Sequence, residues 1–328
     1  MRKLTIVHFL LLHALFCVPA QSQELKKVRV AIPTLSLITA PALIPAERSY
    51  FKQEGLDVEV IVIRSAPSVL ALAAKEVDFL MTGGGGLSGV LRGLPLRVVF
   101  TPLRRPTYAL YAKPDIRTFA DLDGKRVGVS SLGSGPDLLL RDIMKKRMAD
   151  GGKKVTVLAV GGGAERLVAL KTGVVDAAVL ATPFTLNAKQ DGYRELFSFI
   201  TDKEYTDIPV ATFIREDFIP SNVTVLEKFI RAQLKGLLYM RANRDRAVAS
   251  LARTLKIKEE AVGPGFDEMR PALTEDGTIN QEEQRKAIDY LISPSQQKEA
   301  LRLDKIYDFA ITRRVYQELQ TRGWKPTD

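Results

Sequence analysis

In "KVRVAIP", Lys27 to Pro33, apolar Val28, Val30 and Ile32 alternate with other residues, which predicts a strand closed by proline. After the loop "TLSLIT", the segment "APALIPAERSYFKQEG" places Leu43, Ala46, Tyr50 and Phe51 at helical spacing, and Gly55 ends that helix. A strand "LDVEVIVI", a short helix "PSVLALAAKE" and a third strand "VDFLMT" follow. From Gly124 the same order begins again: strand "GKRVGVSS", loop "LGSG", helix "PDLLLRDIMKKRMADGG" with Pro136 in its first turn, strand "KVTVLAV", helix "GAERLVALKTG" and strand "VDAAVLA". "VLALAAKEVD" and "LVALKTGVVD" nearly coincide, with Ala71, Leu72, Val77 and Asp78 reappearing 98 positions on as Ala169, Leu170, Val175 and Asp176. In this reading Val28 aligns with Val127, and both aspartates, which lie on the repeat rather than on the variable loops, are structural.

Strand, helix, strand, helix, strand is half of a doubly wound, mostly parallel sheet, and it occurs twice. Chance similarity between two such patterns is the alternative to two related lobes. Parallel sheets bind ligands beyond the carboxyl ends of their strands, so two facing lobes would enclose one cleft. Between the copies "RVVF" and "YALYA" read as strands, and the chain is expected to cross to the second lobe near Lys113-Pro114. "ELFSFI" and "IPVATFIRED" are again strand-like, which places the return over Pro209 to Phe213. The remainder reads as helices: "SNVTVLEKFIRAQLKGLLYMRAN", "DRAVASLARTLKI", "QEEQRKAIDYL" and "ITRRVYQELQTRG", with Asn222 and Asn243 as caps.

The first residues change what chemistry is available. Arg2 and Lys3, the apolar run "LTIVHFLLLHALFCV" and small Val18 and Ala20 have the layout of a secretory signal peptide over residues 1–20, cleaved near Ala20. An uncleaved anchor or a lipidated Cys17 are the alternatives, and bulky Phe16 speaks against the second. His8, His13 and Cys17 are the chain's only histidines and cysteine, so the mature chain has none. That excludes disulfides, thiol nucleophiles, Ser–His couples and His- or Cys-ligated metals. The net charge is +10 for the whole chain. Lysine and arginine are dispersed and aromatics are few, which argues against a nucleic-acid surface and fits a solvated protein with a bias toward anionic small molecules.

The candidate site follows from the strand-end loops. In "SSLGSGPD", Ser130, Ser131, Gly133 and Ser134 lie between a strand and a helix N-terminus, where free N–H groups favour an anion; capping by Ser134 or Asp137 is the plain alternative. Gly84, Gly86 and Gly89 satisfy G-x-G-x-x-G, but Arg104 and Arg105 stand where a dinucleotide site wants an acid, so no nucleotide or other cofactor is expected. That stretch instead brings backbone near a ligand at Thr82 and Gly83, or forms a turn with positive φ. Gly162 lines the second lobe's side, with Glu165 a first-turn charge, and Thr182 and Phe184 end a strand at the cleft. Arg104 is a candidate for pairing with an anion, against a solvated-surface reading, and Ser36 and Thr39 of the first loop complete the set. No metal site and no catalytic constellation is expected.

"SYFKQEGLDVEVIVI", "DIRTFADLDGKRVGVSS", "GGGAERLVALKTGVVDAAVLATPF", "GYRELFSF" and "IPVATFIREDFI" resemble the solute-binding proteins of ABC importers in the sulfonate, taurine, nitrate and thiamine-pyrimidine group, over Lys27 to Asp217. The resemblance implies the two-lobed α/β fold of a type II periplasmic binding protein, with a hinge of two crossing strands and C-terminal helices packed mainly on the first lobe. It divides the chain into a first lobe at 27–109, a second at 110–209 and a return to the first over 210–328. It further implies a periplasmic monomer that closes on a small anionic or heterocyclic solute and presents it to an importer's membrane subunits. A solute receptor for a membrane sensor is the alternative. Some thiamine-pyrimidine relatives are enzymes that consume a histidine of their own, which this mature chain lacks. The first loop, "TLSLITA", has no charge and no ring where relatives often present one, so the resemblance does not extend to the ligand.

Overall fold

The computed structural model describes residues 24–202, 205, 208–289, 291–292 and 302–326, so the expected signal peptide lies outside the described residues. The first sheet contains β1 (Lys26–Ile32), β2 (Leu56–Val62), β3 (Phe79–Thr82), β4 (Leu96–Phe100) and β10 (Ala211–Arg215), in the order β2-β1-β3-β10-β4. The second contains β5 (Tyr108–Ala112), β6 (Arg126–Val129), β7 (Thr156–Ala159), β8 (Ala177–Ala181) and β9 (Arg194–Ser198), in the order β7-β6-β8-β5-β9. The two orders are the same, with one antiparallel strand in fourth place in each. That strand is always the first one reached after a crossing: β5 follows the passage through 101–107, and β10 follows the return through 199–210. The boundary expected at residue 109 therefore falls inside β5, all of which pairs in the second sheet.

Around the first sheet lie α1 (Ala40–Glu47), α2 (Tyr50–Gln53), α3 (Ser65–Ala73) and α4 (Gly84–Leu91); around the second lie α5 (Gly135–Arg147), α6 (Gly163–Lys171) and α7 (Phe184–Gln190). The tail forms α8 (Phe218–Ser221), α9 (Val223–Ala242), α10 (Arg244–Leu255), α11 (Glu259–Met269), α12 (Gln281–Asp289), α13 (Leu303–Ile306) and α14 (Ala310–Thr321). The helix expected over 40–55 breaks at Ser49, whose φ of 57° lies in the left-handed region. The break presents Phe51 to α9, where its ring stacks on Phe229 at 5.0 Å, and Phe229 in turn lies 3.8 Å from Phe79 of β3. The tail thus packs on the first sheet. Asn222 and Asn243 stand at helix starts but neither side chain caps the helix that follows. The Asn243 amide instead points back to the Tyr239 carbonyl of the preceding helix. No helix among the described residues is long and apolar enough to cross a membrane.

The repeated aspartates explain the repeat. Asp78 gives its backbone N–H to the Arg29 carbonyl at 2.9 Å and accepts the Arg29 N–H on its carboxylate at 2.8 Å. Asp176 makes the same pair of bonds with Arg126, at 2.8 and 3.0 Å. Each aspartate thereby sets where its strand starts against the neighbouring one. The pairing Val30 with Phe79, and Val127 with Ala177, makes Val30 the counterpart of Val127, so the alignment of Val28 with Val127 is two residues out of register. Asp176 carries more than its twin, because Lys113 Nζ at 2.6 Å and the Arg126 guanidinium also reach it. Burial pushes its carboxyl up, but those hydrogen bonds outweigh burial and hold it well below the usual carboxylate range. A depressed carboxyl stabilises the fold above its unfolded value of about 3.9 and loses that contribution as pH falls below it. Asp176→Ala is expected to cost about 2 kcal/mol and Asp78→Ala about 1 kcal/mol in urea unfolding at neutral pH, the difference shrinking below about pH 3. Equal costs at neutral pH would refute the assigned role of the extra cations.

Candidate functional site

The carboxyl ends of β1, β3, β6 and β8 open on one cavity of about 430 Å³ between the sheets. On the first sheet's side its wall includes Ser36 and Thr39 from the loop after β1, and Thr82 with Gly83 at the end of β3. On the second sheet's side it includes Ser130 and Ser131 after β6, Gly162 before α6, and Thr182 and Phe184 after β8. These nine candidates come together.

Three do not line the cavity. Arg104 lies in the 101–107 crossing, which the tail covers: Thr101 donates its N–H to Gly277, and Thr274 donates its hydroxyl to the Thr101 carbonyl at 2.8 Å. Its guanidinium accordingly faces Glu283 at 3.6 Å. Ser134 is turned inward, accepting from the Ser130 hydroxyl at 2.8 Å and donating to the Ser131 carbonyl at 2.6 Å, so it braces the loop that presents the half-buried Ser130 and Ser131. Gly133 supplies the left-handed turn (φ 76°) of that loop and donates its N–H to Asp137.

The glycines of "MTGGGG" do not form a positive-φ turn; α4 begins among them at Gly84. Smallness is what the packing requires there, since a methyl on Gly86 would lie 2.7 Å from the Phe213 ring. α4, α5 and α6 start at Gly84, Gly135 and Gly163, and all three N-termini line the cavity. Those of α4 and α5 lie next to each other, for a methyl on Gly135 would sit 4.0 Å from the Gly84 nitrogen. Free N–H groups at helix starts attract negative or polar ligand atoms.

Several hydroxyl protons are already committed. The Thr39 hydroxyl shares its one proton between the Thr34 and Ser36 carbonyls, at 2.8 and 2.9 Å, and Thr182 donates to Glu268 of α11 at 2.5 Å, so each offers a ligand lone pairs rather than a proton. The Phe184 ring lies over Gly163, where a methyl would come within 2.2 Å of it. Arg64, Tyr108 and Arg166 also line the wall, beside Glu165, and were not among the sequence candidates. Arg166 is 5% exposed, and its guanidinium donates to the Gly162 carbonyl at 3.2 Å and to the Val179 carbonyl. Its position was readable in part: Arg166 stands three and four residues before Ala169 and Leu170, on the apolar face of its helix.

The first-sheet-to-second-sheet architecture recurs in known proteins. A structure from Bordetella bronchiseptica RB50 superposes with a TM-score of 0.80 at 19% identity, over 92% of this chain and all of that one. The periplasmic nitrate-binding protein NrtA from Synechocystis PCC 6803 gives 0.70 at 13% identity, over 93% and 92% of the two chains. In sequence, a protein of Brucella abortus (strain 2308) is 27% identical over 260 residues, 74% of this chain and 78% of that one. Residues 38–247 match the sequence pattern of proteins described as NMT1/THI5 like. That match spans more than half of the chain and contains the cavity wall from Ile38 onward, and the chain belongs to the NMT1/THI5-like family.

Proposed function

We propose that the protein is an extracytoplasmic solute-binding protein, which holds one small organic molecule between its lobes and presents the closed form to the membrane subunits of an ABC importer. The observation that carries this reading is the convergence of strand-end loops from both sheets, with three helix N-termini, on a single cavity of about 430 Å³. A solute touching both walls gains its full set of contacts only when the lobes meet, so it favours closure by that differential affinity. The lining offers hydroxyls, backbone amides, two arginines and one glutamate. It has no histidine or cysteine, and we read the site as one that binds without turnover.

Native mass spectrometry of mature protein purified from its own host tests this, with mild denaturation to release a passenger. One small molecule per chain, lost on denaturation, is the expected result. Adding it back at about one hundred times its Kd should stabilise the protein by about 2.7 kcal/mol. A protein that emerges empty, and whose melting temperature moves with none of the sulfonates, carboxylates, pyrimidines or nitrate, would sink the reading.

A further inference from the structure

The two lobes are related by the repeat, yet their walls differ in charge. Ser68 of α3 and Arg166 of α6 occupy the same position, 98 residues apart, and both are buried. The first copy places a small neutral group there, the second a full positive charge.

The setting of Arg166 is unusual for a buried cation. β6 and β8 pair only at Val127 with Ala177 and Gly128 with Ala178, so the ladder ends before Val179. Arg166 enters the opening and takes the Val179 and Gly162 carbonyls. Among the described residues no carboxylate forms an ion pair with it. Burial pushes the guanidinium down to about 10, with Tyr108 and Glu165 acting the other way, so it stays charged at neutral pH. A buried charge satisfied only by carbonyl dipoles remains electrostatically uncompensated, and an anion placed beside it gains more than it would in water. The neighbouring wall supports this: Ser130, Ser131 and the N-termini of α5 and α6 belong to the same lobe. Glu165 acts against it, but its side chain is exposed and solvent screens it more strongly than buried Arg166. Arg64 on the opposite wall is also exposed; two arginines against one glutamate leave the lining with one net positive charge.

We propose that Arg166 is the specificity-determining residue of the cleft: it selects solutes bearing a single negative group, a carboxylate or sulfonate, and seats that group on the second lobe. This rests on the solute-binding reading above.

The test uses pairs of equal shape and different charge, benzoate with benzamide and propane-1-sulfonate with propane-1-sulfonamide, measured by calorimetry on the full mature chain. The anion should bind at least about tenfold tighter than its neutral partner, the range of one charge-assisted hydrogen bond. Arg166→Met should bring the ratio of anion to neutral affinity to within about threefold of one, whatever happens to overall affinity, whereas Arg166→Lys should keep most of the preference. Should Arg166→Met fail to fold, Glu165→Gln still decides: the ratio of anion to neutral affinity should rise about threefold. Neutral partners that bind as well as the anions would overturn the assignment and leave the solute-binding reading intact, as would an anion preference that survives in folded Arg166→Met. If none of the four compounds binds, the charge of the passenger from the host decides, an anion supporting the proposal and a neutral or cationic molecule refuting it. Absence of any bound solute would remove both.

Discussion

Phe229→Ala is expected to lower the unfolding free energy by about 4 kcal/mol, and the melting temperature by about 8 °C. Phe229 is fully buried on α9 and lies between two rings, Phe51 of α2 at 5.0 Å and Phe79 of β3 at 3.8 Å with planes 5° apart. Phe218 adds an edge contact to Phe79 at 5.2 Å. Truncation removes the ring's transfer free energy and leaves a cavity that a helix pinned along its length to a sheet cannot close. Phe229→Leu keeps most of the volume and should cost less than half as much. Urea unfolding of the two variants checks this. A loss below about 1 kcal/mol for the alanine variant would show that α9 is held to the first sheet by something other than this stack.

Gly83→Ala is expected to destabilise by about 3 kcal/mol, the upper end of overpacking costs, and to weaken solute binding at least tenfold. A methyl at residue 83 would sit 2.4 Å from the Ile208 carbonyl oxygen and 2.7 Å from that of Pro209. Both obstacles are backbone of the return crossing, so neither can swing aside as a side chain would. The end of β3 at Thr82 and the start of α4 must then move, and both belong to the cavity wall. Gly135→Ala is the control at the neighbouring helix start. Its methyl meets nothing nearer than 4.0 Å and should leave stability within about 0.5 kcal/mol. Equal stability of the two variants would mean that the crossing yields readily.

What could be read before the structure follows from how each element is encoded. Strands such as Lys26–Ile32 and helices such as Val223–Ala242 advertise themselves through periodic burial, and both copies of the β-α-β-α-β order were visible for that reason. α4 was not, because its first residues are glycines, whose low helix propensity hides a helix kept for close packing against Phe213 and Val69. α11 was missed for a similar cause: Gly263, Pro264 and Gly265 read as a break, yet Gly265 lets the helix lie on Thr182 and Leu37. Among site residues, hydroxyls in strand-end loops were legible from position alone. Arg104 misled because nothing local shows that the tail would cover the crossing. Arg166 escaped notice because a lone arginine in an amphipathic helix reads as surface, although its spacing from Ala169 and Leu170 places it on the buried face.

The exchanged strands bear on the order in which the chain can fold. Every strand of the second sheet lies between Tyr108 and Ser198, an unbroken stretch, whereas the first sheet needs β10 to join β3 to β4. As the polypeptide lengthens from its amino end, the half that begins first must therefore wait until residue 215 has emerged, while the half that begins second can assemble earlier. Long-range closure of this kind is slow and leaves apolar β3, with Phe79, Leu80 and Met81, paired on its β1 side only until β10 has been made. The first half of a chain so built stays pliable until β10 has been made, the condition in which a polypeptide can still be held by a chaperone.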